Sequence, residues 1–409
     1  MTAAAPRGRV VRRVPRNRLA LGALGLAALL AGLWAALLML GLDVPTPRPD
    51  FAEVHGPLMV LGFLGTLIAL ERAVAIDTRA GYLAPATAGL GGLALIAGLP
   101  LLVGQLLLGV AGVGLIGLYV AAGRKQTALH LWVMASGAVS WVVAVGLWLT
   151  GWDVGRLIPW LAGYLVLTIT GERLELSRVG RLSRRAHATF TTAAAVFGVG
   201  ITVAIGAFSI GARIAGAGLL LLTVWLAAHD VARRTVRQSG LTRYMAACLL
   251  AGFCWLGVAG ALWLRYGLAG GPAYDAMLHA LFLGFVIGMV FAHAPVIVPA
   301  VFRAAVPYRR HFYGHLLLLH GSLLLRLVGG DLAGNRTAWQ VGGVLNEVAL
   351  LCFLAVTIAA VRQGRRGLVV AHRDGSIRTP AAASSSSARS PSPAARSTAA
   401  TPSVNNVVS

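Results

Sequence analysis

The sequence predicts an all-α polytopic membrane protein of about twelve transmembrane helices, and three observations carry that prediction. Of 409 residues, 57% are hydrophobic and only 12% charged, whereas a soluble domain carries roughly twice that charged share. Apolar runs of about 20 residues, the length needed to cross hydrocarbon, recur along the whole chain. The arginines between them fall in alternate loops, the pattern of a chain threaded back and forth with its cations kept on one side.

In order, the predicted spans are 19–42, 57–76, 83–102, 105–122, 129–150, 157–174, 187–208, 211–229, 243–265, 274–301, 311–328 and 338–361. The third and fourth are separated only by residues 100–105. Arg12, Arg13, Arg16 and Arg18 lead into the first span, Arg72 and Arg79 follow the second, and Arg124 and Lys125 follow the fourth. Arg178, Arg181, Arg184 and Arg185 follow the sixth, Arg233, Arg234 and Arg237 the eighth, and Arg303, Arg309 and Arg310 the tenth. The intervening loops, among them DVPTPRPDFAEV and GLAGGPAYD, hold few cations and most of the lone acids. An even number of spans with both termini cytoplasmic follows, in a bacterial-type cytoplasmic (inner) membrane. The net charge of +22 is therefore topological, and a nucleic-acid partner is not expected. The bilayer itself is the partner the composition implies.

The basic N-terminus running into 19–42 has the outline of a signal peptide, but the apolar stretch is longer than a secretory core and is read as a retained span. Residues 1–18 form a basic N-terminus, 19–366 the membrane domain and 367–409 a Ser/Pro/Ala-rich tail of disordered composition. Cys248, Cys254 and Cys352 lie inside apolar stretches with no C-x-x-C spacing, which points to packing rather than ligation.

A short internal repeat links spans two, six and ten. Gly62-Phe63, Gly163-Tyr164 and Gly284-Phe285 are each a glycine followed by an aromatic, and nine residues after each glycine stands Glu71, Glu172 or His293. The repeat suggests three pseudo-symmetric four-helix units.

Polar side chains at membrane depth are costly and mark sites or buried pairs. His55 stands at the start of span two, in EVHGPLMVLGF, and His279 about one turn into span ten, in YDAMLHALFLGF. Spans two and ten run in the same direction, so both imidazoles lie near the same membrane depth. That is the placement for ligating a planar cofactor from both faces through neutral ring nitrogens. The alternative is an interfacial histidine bonded to a loop carbonyl, and the spacing leaves both open. His293 is about 21 Å further along its helix than His279 and cannot share its metal. Towards that end lie Glu71, Glu172 and His320, with His311 and His315 nearer the helix start. His293, His320 and Glu172 could form a second site, for copper or for protons, and interfacial ion pairs are the alternative. Arg326 sits where it could snorkel to the interface or meet a cofactor carboxylate.

His55-Gly-x-x-Met59 resembles the second-span motif of haem–copper oxidase subunit I, and HALFLGFVIGMVF resembles its tenth-span segment. The span plan is similar to that of the related NnrS family, which is close in size. The resemblance implies haem b held by His55 and His279, with Met59 and Arg326 beside it. It implies copper as a further metal, and a role in the nitric oxide or metal stress response or in electron transfer with a membrane redox partner. Span six lacks a histidine, His187 in span seven has no pair, and Met277 stands two residues before His279. Oxygen reduction at a haem–copper centre is therefore not expected. The NnrS-type Gly-His-Thr-Gly sequence is also absent, with His293-Ala-Pro295 near its place. The residues alone leave a cofactor-free transporter or a structural membrane subunit as the competing readings. They carry no information on oligomeric state, and there is no P-loop, Gly-x-Ser-x-Gly or H-E-x-x-H motif.

Overall fold

A computed structural model describes residues 15–177, 182–268 and 270–373. All the regular elements among them are helical, as expected where no water is available to satisfy an open backbone. Eleven helices are long and apolar enough to cross a membrane. They are α1 (Arg16–Met39), α2 (Phe51–Ile76), α4 (Leu101–Lys125), α5 (Leu129–Leu149), α6 (Val154–Ser177), α7 (Arg184–Val203), α8 (Phe208–His229), α9 (Gly240–Tyr266), α10 (Ala273–Phe302), α11 (Phe312–Leu332) and α12 (Arg336–Gly364). The third predicted span is realised as a shorter apolar helix, α3 (Ala80–Ile96). It stops early because Gly98 adopts a left-handed turn, φ +70°, and Pro100 caps the next helix, so α4 begins at Leu101 rather than 105.

The described residues up to Val369 belong to one compact unit. The predicted N-terminal segment 1–18 lies outside the described residues up to residue 14, and the tail expected over 367–409 lies outside them from residue 374. Residues 367–373 continue the last helix rather than beginning the tail.

Helix α6 is central. Of its membrane-length window 83% is buried, against 28% for α12. It packs along α5 through glycines. A Cβ at Gly137 would stand 2.8 Å from the Tyr164 carbonyl oxygen, and one at Gly163 2.9 Å from Ser140 Oγ. Such close backbone approach supplies the van der Waals contact that drives helix association where lipid is as apolar as leucine. Trp141 fills the space left above, its ring 4.9 Å from that of Tyr164. Helices α7 and α8 form a tight antiparallel pair against α9, and α9 packs on α10. Arg18 ties the start of α1 to its neighbours, donating to Tyr82 Oη at 3.1 Å and the Val301 carbonyl at 3.1 Å.

Gly137→Val should therefore drive a branched side chain into the α6 backbone and cost about 1–3 kcal/mol or more. Gly146→Ala, at a position with nothing within 4 Å, should leave stability unchanged. Thermal unfolding of the purified protein in detergent measures both.

Candidate functional site

Three stretches of the bundle are π-helical: Leu58–Leu64 in α2, Ala280–Ile287 in α10 and Leu325–Leu332 in α11. Widened turns of this kind sacrifice regular hydrogen bonding and appear mostly at functional sites. All three border one cavity of about 220 Å³, bounded mainly by α1, α2, α6, α10 and α12. Met59, Val60 and Leu64 line it from the first stretch, Phe282, Leu283 and Ile287 from the second, and Arg326 from the third. Gly62-Phe63 and Gly284-Phe285 lie inside π-helical stretches, whereas Gly163-Tyr164 lies in regular helix containing Pro159.

His55 and His279 both line this cavity, each just before the π-helical stretch of its helix. His55 Nδ1 pairs with the Gly32 carbonyl oxygen at 2.8 Å. The carbonyl is reachable because Gly32 lets α2 come close: a Cβ there would stand 2.7 Å from Met59 Sδ. His279 Nδ1 pairs with the Asp275 carbonyl oxygen at 2.9 Å and lies 3.1 Å from Asp275 Oδ1. In both, the acceptors at Nδ1 place the proton there and leave Nε2 as a lone-pair donor. Neither Nε2 has a hydrogen-bond partner among the described residues.

Asp275 is the hub of the cavity's polar rim. It accepts from Arg326 Nε at 2.8 Å, Arg326 Nη2 at 2.7 Å and Trp339 Nε1 at 3.2 Å. A bidentate guanidinium on a carboxylate is a directional, charge-assisted pair. The chain Arg326, Asp275, His279 thus sets the orientation of one imidazole from the neighbouring helix. It also engages the guanidinium for which a cofactor carboxylate was the other candidate partner. On α12, Asn346 Oδ1 and Glu347 Oε1 are buried without partners, and both residues line the cavity.

A second cavity, of about 270 Å³, lies at the opposite ends of the same helices, and Leu64 borders both. Glu71, Glu172 and His293, the three residues placed nine positions after the repeat glycines, all line it. Arg72 Nη2 donates to Glu172 Oε1 and lies 3.8 Å from Glu71 Oε1. Arg173 makes a two-point pair with Asp230, at 2.7 and 2.8 Å, and its Nη1 stands 3.4 Å from His293 Nε2. His293 Nδ1 is engaged by the Met289 carbonyl at 2.7 Å.

The structure does not bring His320 to this cavity. His320 lies against α9, its Nδ1 accepting from Trp255 Nε1 at 2.9 Å. His293 and Glu172 therefore meet without it. His315 is likewise turned into an aromatic cluster, with Tyr244 Oη at 2.9 Å, and His311 is exposed. Among the described residues no group of three or more His, Cys, Asp or Glu is placed to hold a metal ion. A pair of axial histidines needs no such group, since a macrocycle supplies the remaining ligands.

The sequence reading passed over Asp275, Asp230 and Glu347. Asp275 carried a signal, standing four residues before His279 on the same helix face. Asp230 closes a loop crowded with arginines and shows nothing in sequence that would set it apart.

Residues 18–362 match a family described as a domain of unknown function, DUF8744, and the chain belongs to that family. No curated protein and no solved structure matches it.

Arg326→Leu is expected to cost about 1–3 kcal/mol, because it leaves the half-buried Asp275 carboxylate without its cation. The double variant Asp275→Asn, Arg326→Leu should lose less than the single one. A double variant that loses the sum of the Arg326→Leu and Asp275→Asn losses in thermal unfolding would show that the two side chains are not coupled.

Proposed function

We propose that the protein is an integral-membrane b-type haem protein of the bacterial cytoplasmic membrane, with His55 and His279 as axial ligands and one-electron transfer as its activity. The observation that supports this is the pair of imidazoles on one cavity wall, each with Nδ1 tied to an acceptor and Nε2 left without a protein partner. Metal-ligating histidines are held in this way, by a carbonyl or carboxylate at the other ring nitrogen. The apolar remainder of the lining suits a porphyrin face, and Met59 and Gly56 border the same space.

When bound, haem supplies a reversible one-electron couple. With His55 and His279 both serving as its ligands, haem held here would be suited to electron transfer rather than to direct capture of nitric oxide or oxygen. The protein's own part is orientation and tuning. Gly32 fixes the His55 ring, and Asp275 fixes the His279 ring while raising its basicity as a ligand. Arg326 keeps that carboxylate charged rather than meeting a haem carboxylate. Alternation of the arginine-rich loops places the His55 end outside and the Glu71 end towards the cytoplasm, with both termini cytoplasmic. A membrane redox partner then docks on the outer side. Nothing on the His293 side supports copper beyond the presence of that imidazole with Glu172, and His293 is already engaged at both ring nitrogens.

Protein purified after expression with haem supplied should show a Soret band. His55→Ala and His279→Ala should each abolish it, and the exposed His311→Ala should keep it. Asp275→Asn should keep the band and raise the midpoint potential. A pure, folded protein with no Soret band ends the reading.

A further inference from the structure

The cavity at the Glu71 end is independent of the haem reading and has a charge pattern of its own. Its walls come from α1, α2, α6, α10 and α12 and are overwhelmingly apolar. The ionisable residues that line it are Glu71, Glu172 and His293, and no lysine or arginine is among the lining residues. Behind the wall, among the described residues, two guanidiniums, Arg72 and Arg173, face three carboxylates, Glu71, Glu172 and Asp230. Arg173 is matched by Asp230 in a two-point pair, which is neutral as a unit. Arg72 is shared, with its Nη2 on Glu172 and only a 3.8 Å approach to Glu71. One carboxylate charge is left over, and by distance it belongs to Glu71. His293 adds no cation, since its Nδ1 faces a carbonyl and its Nε2 faces the Arg173 guanidinium. Further out, Glu175 pairs with His130 at 3.6 Å and supplies no spare positive charge either.

The Glu71 side chain is 28% exposed and only loosely paired with Arg72, and a partly buried carboxylate at an apolar cavity is stabilised by a proton or by a further cation. A proton alone would need no cavity. From the apolar walls, the volume of about 270 Å³ and the surplus carboxylate, we propose that this cavity binds a lipophilic monocation, an apolar body carrying one protonated amine, with the ammonium on Glu71. The ammonium would join Glu71, while Glu172 stays with Arg72. An apolar pocket with a single convergent charge is the usual form of a small-molecule site.

The test uses three probes that share one apolar body and differ only in head group: phenylbutylamine, phenylbutanol and phenylbutyrate. Binding to the purified full-length protein in nonionic detergent is measured by titration calorimetry. The amine should bind saturably, the alcohol about tenfold more weakly or worse, and the carboxylate not at all. Glu71→Gln should reduce the amine to the affinity of the alcohol. Ile297→Trp, which fills the cavity without touching the charges, should abolish binding and serves if the Glu71 variant does not fold. Equal affinity for amine and alcohol would show that Glu71 holds a proton, and it overturns the proposal. So does unchanged amine binding in Glu71→Gln, or no binding of any probe. His55→Ala should bind the amine as the parent protein does, so loss of the Soret band and loss of amine binding are separate results.

Discussion

Inside a bilayer no water is available to a polar group, and every charge that enters must bring its partner with it. That constraint organises this bundle more than any apolar contact does, since helix surfaces gain little by leaving lipid for one another. Asp275 enters the α10 end of the first cavity with Arg326, Trp339 and His279 around it. Asp230 enters with Arg173, and Glu172 enters with Arg72. Each pair joins two different elements of the bundle, Glu172 and Arg72 across 100 residues of chain, so the pairs act as registration points. Glycines then let the helix backbones close to contact around them.

The same constraint gives the two cavities different chemistry. At the histidine end the Asp275 carboxylate is met by donors, and what remains is a pair of imidazoles beside the unpartnered Asn346 and Glu347 oxygens. At the glutamate end the carboxylates outnumber the guanidiniums, and what remains is a negative charge. Helices α2, α6 and α10 contribute to both, their first turns to one and their last turns to the other. A single π-helical stretch separates the two on α2, and Leu64 at its end touches both spaces. The widened turns of α2 and α10 lie at the first cavity, where helices that begin with a ligand-type residue pass around an open volume.

Much of the architecture was legible because hydropathy and loop charge are local properties. The third predicted span is shorter than its apolar run suggests, because Gly98 and Pro100 end α3 early and a left-handed turn does not alter an apolar average. The nine-residue offset of the repeat was readable too, and the three residues it picked out share one cavity because parallel helices carry equal offsets to equal depth. His320 was misplaced with them because depth is only one coordinate. Two residues at the same level can face opposite sides of α10, and the Trp255 indole holds His320 away from the cavity.

By itself the sequence determined that this chain is a helical membrane protein, how its helices alternate, and which ionisable residues lie at which depth, all of which follow from composition and the 1.5 Å rise of a helix. Only the tertiary structure decided which of those residues meet. It put Asp275 between Arg326 and His279, left both Nε2 atoms without protein partners, and left Glu71 with the weakest share of Arg72. These are rotational and lateral facts, set by which face of each helix its neighbours accept, and no periodicity within one helix encodes them.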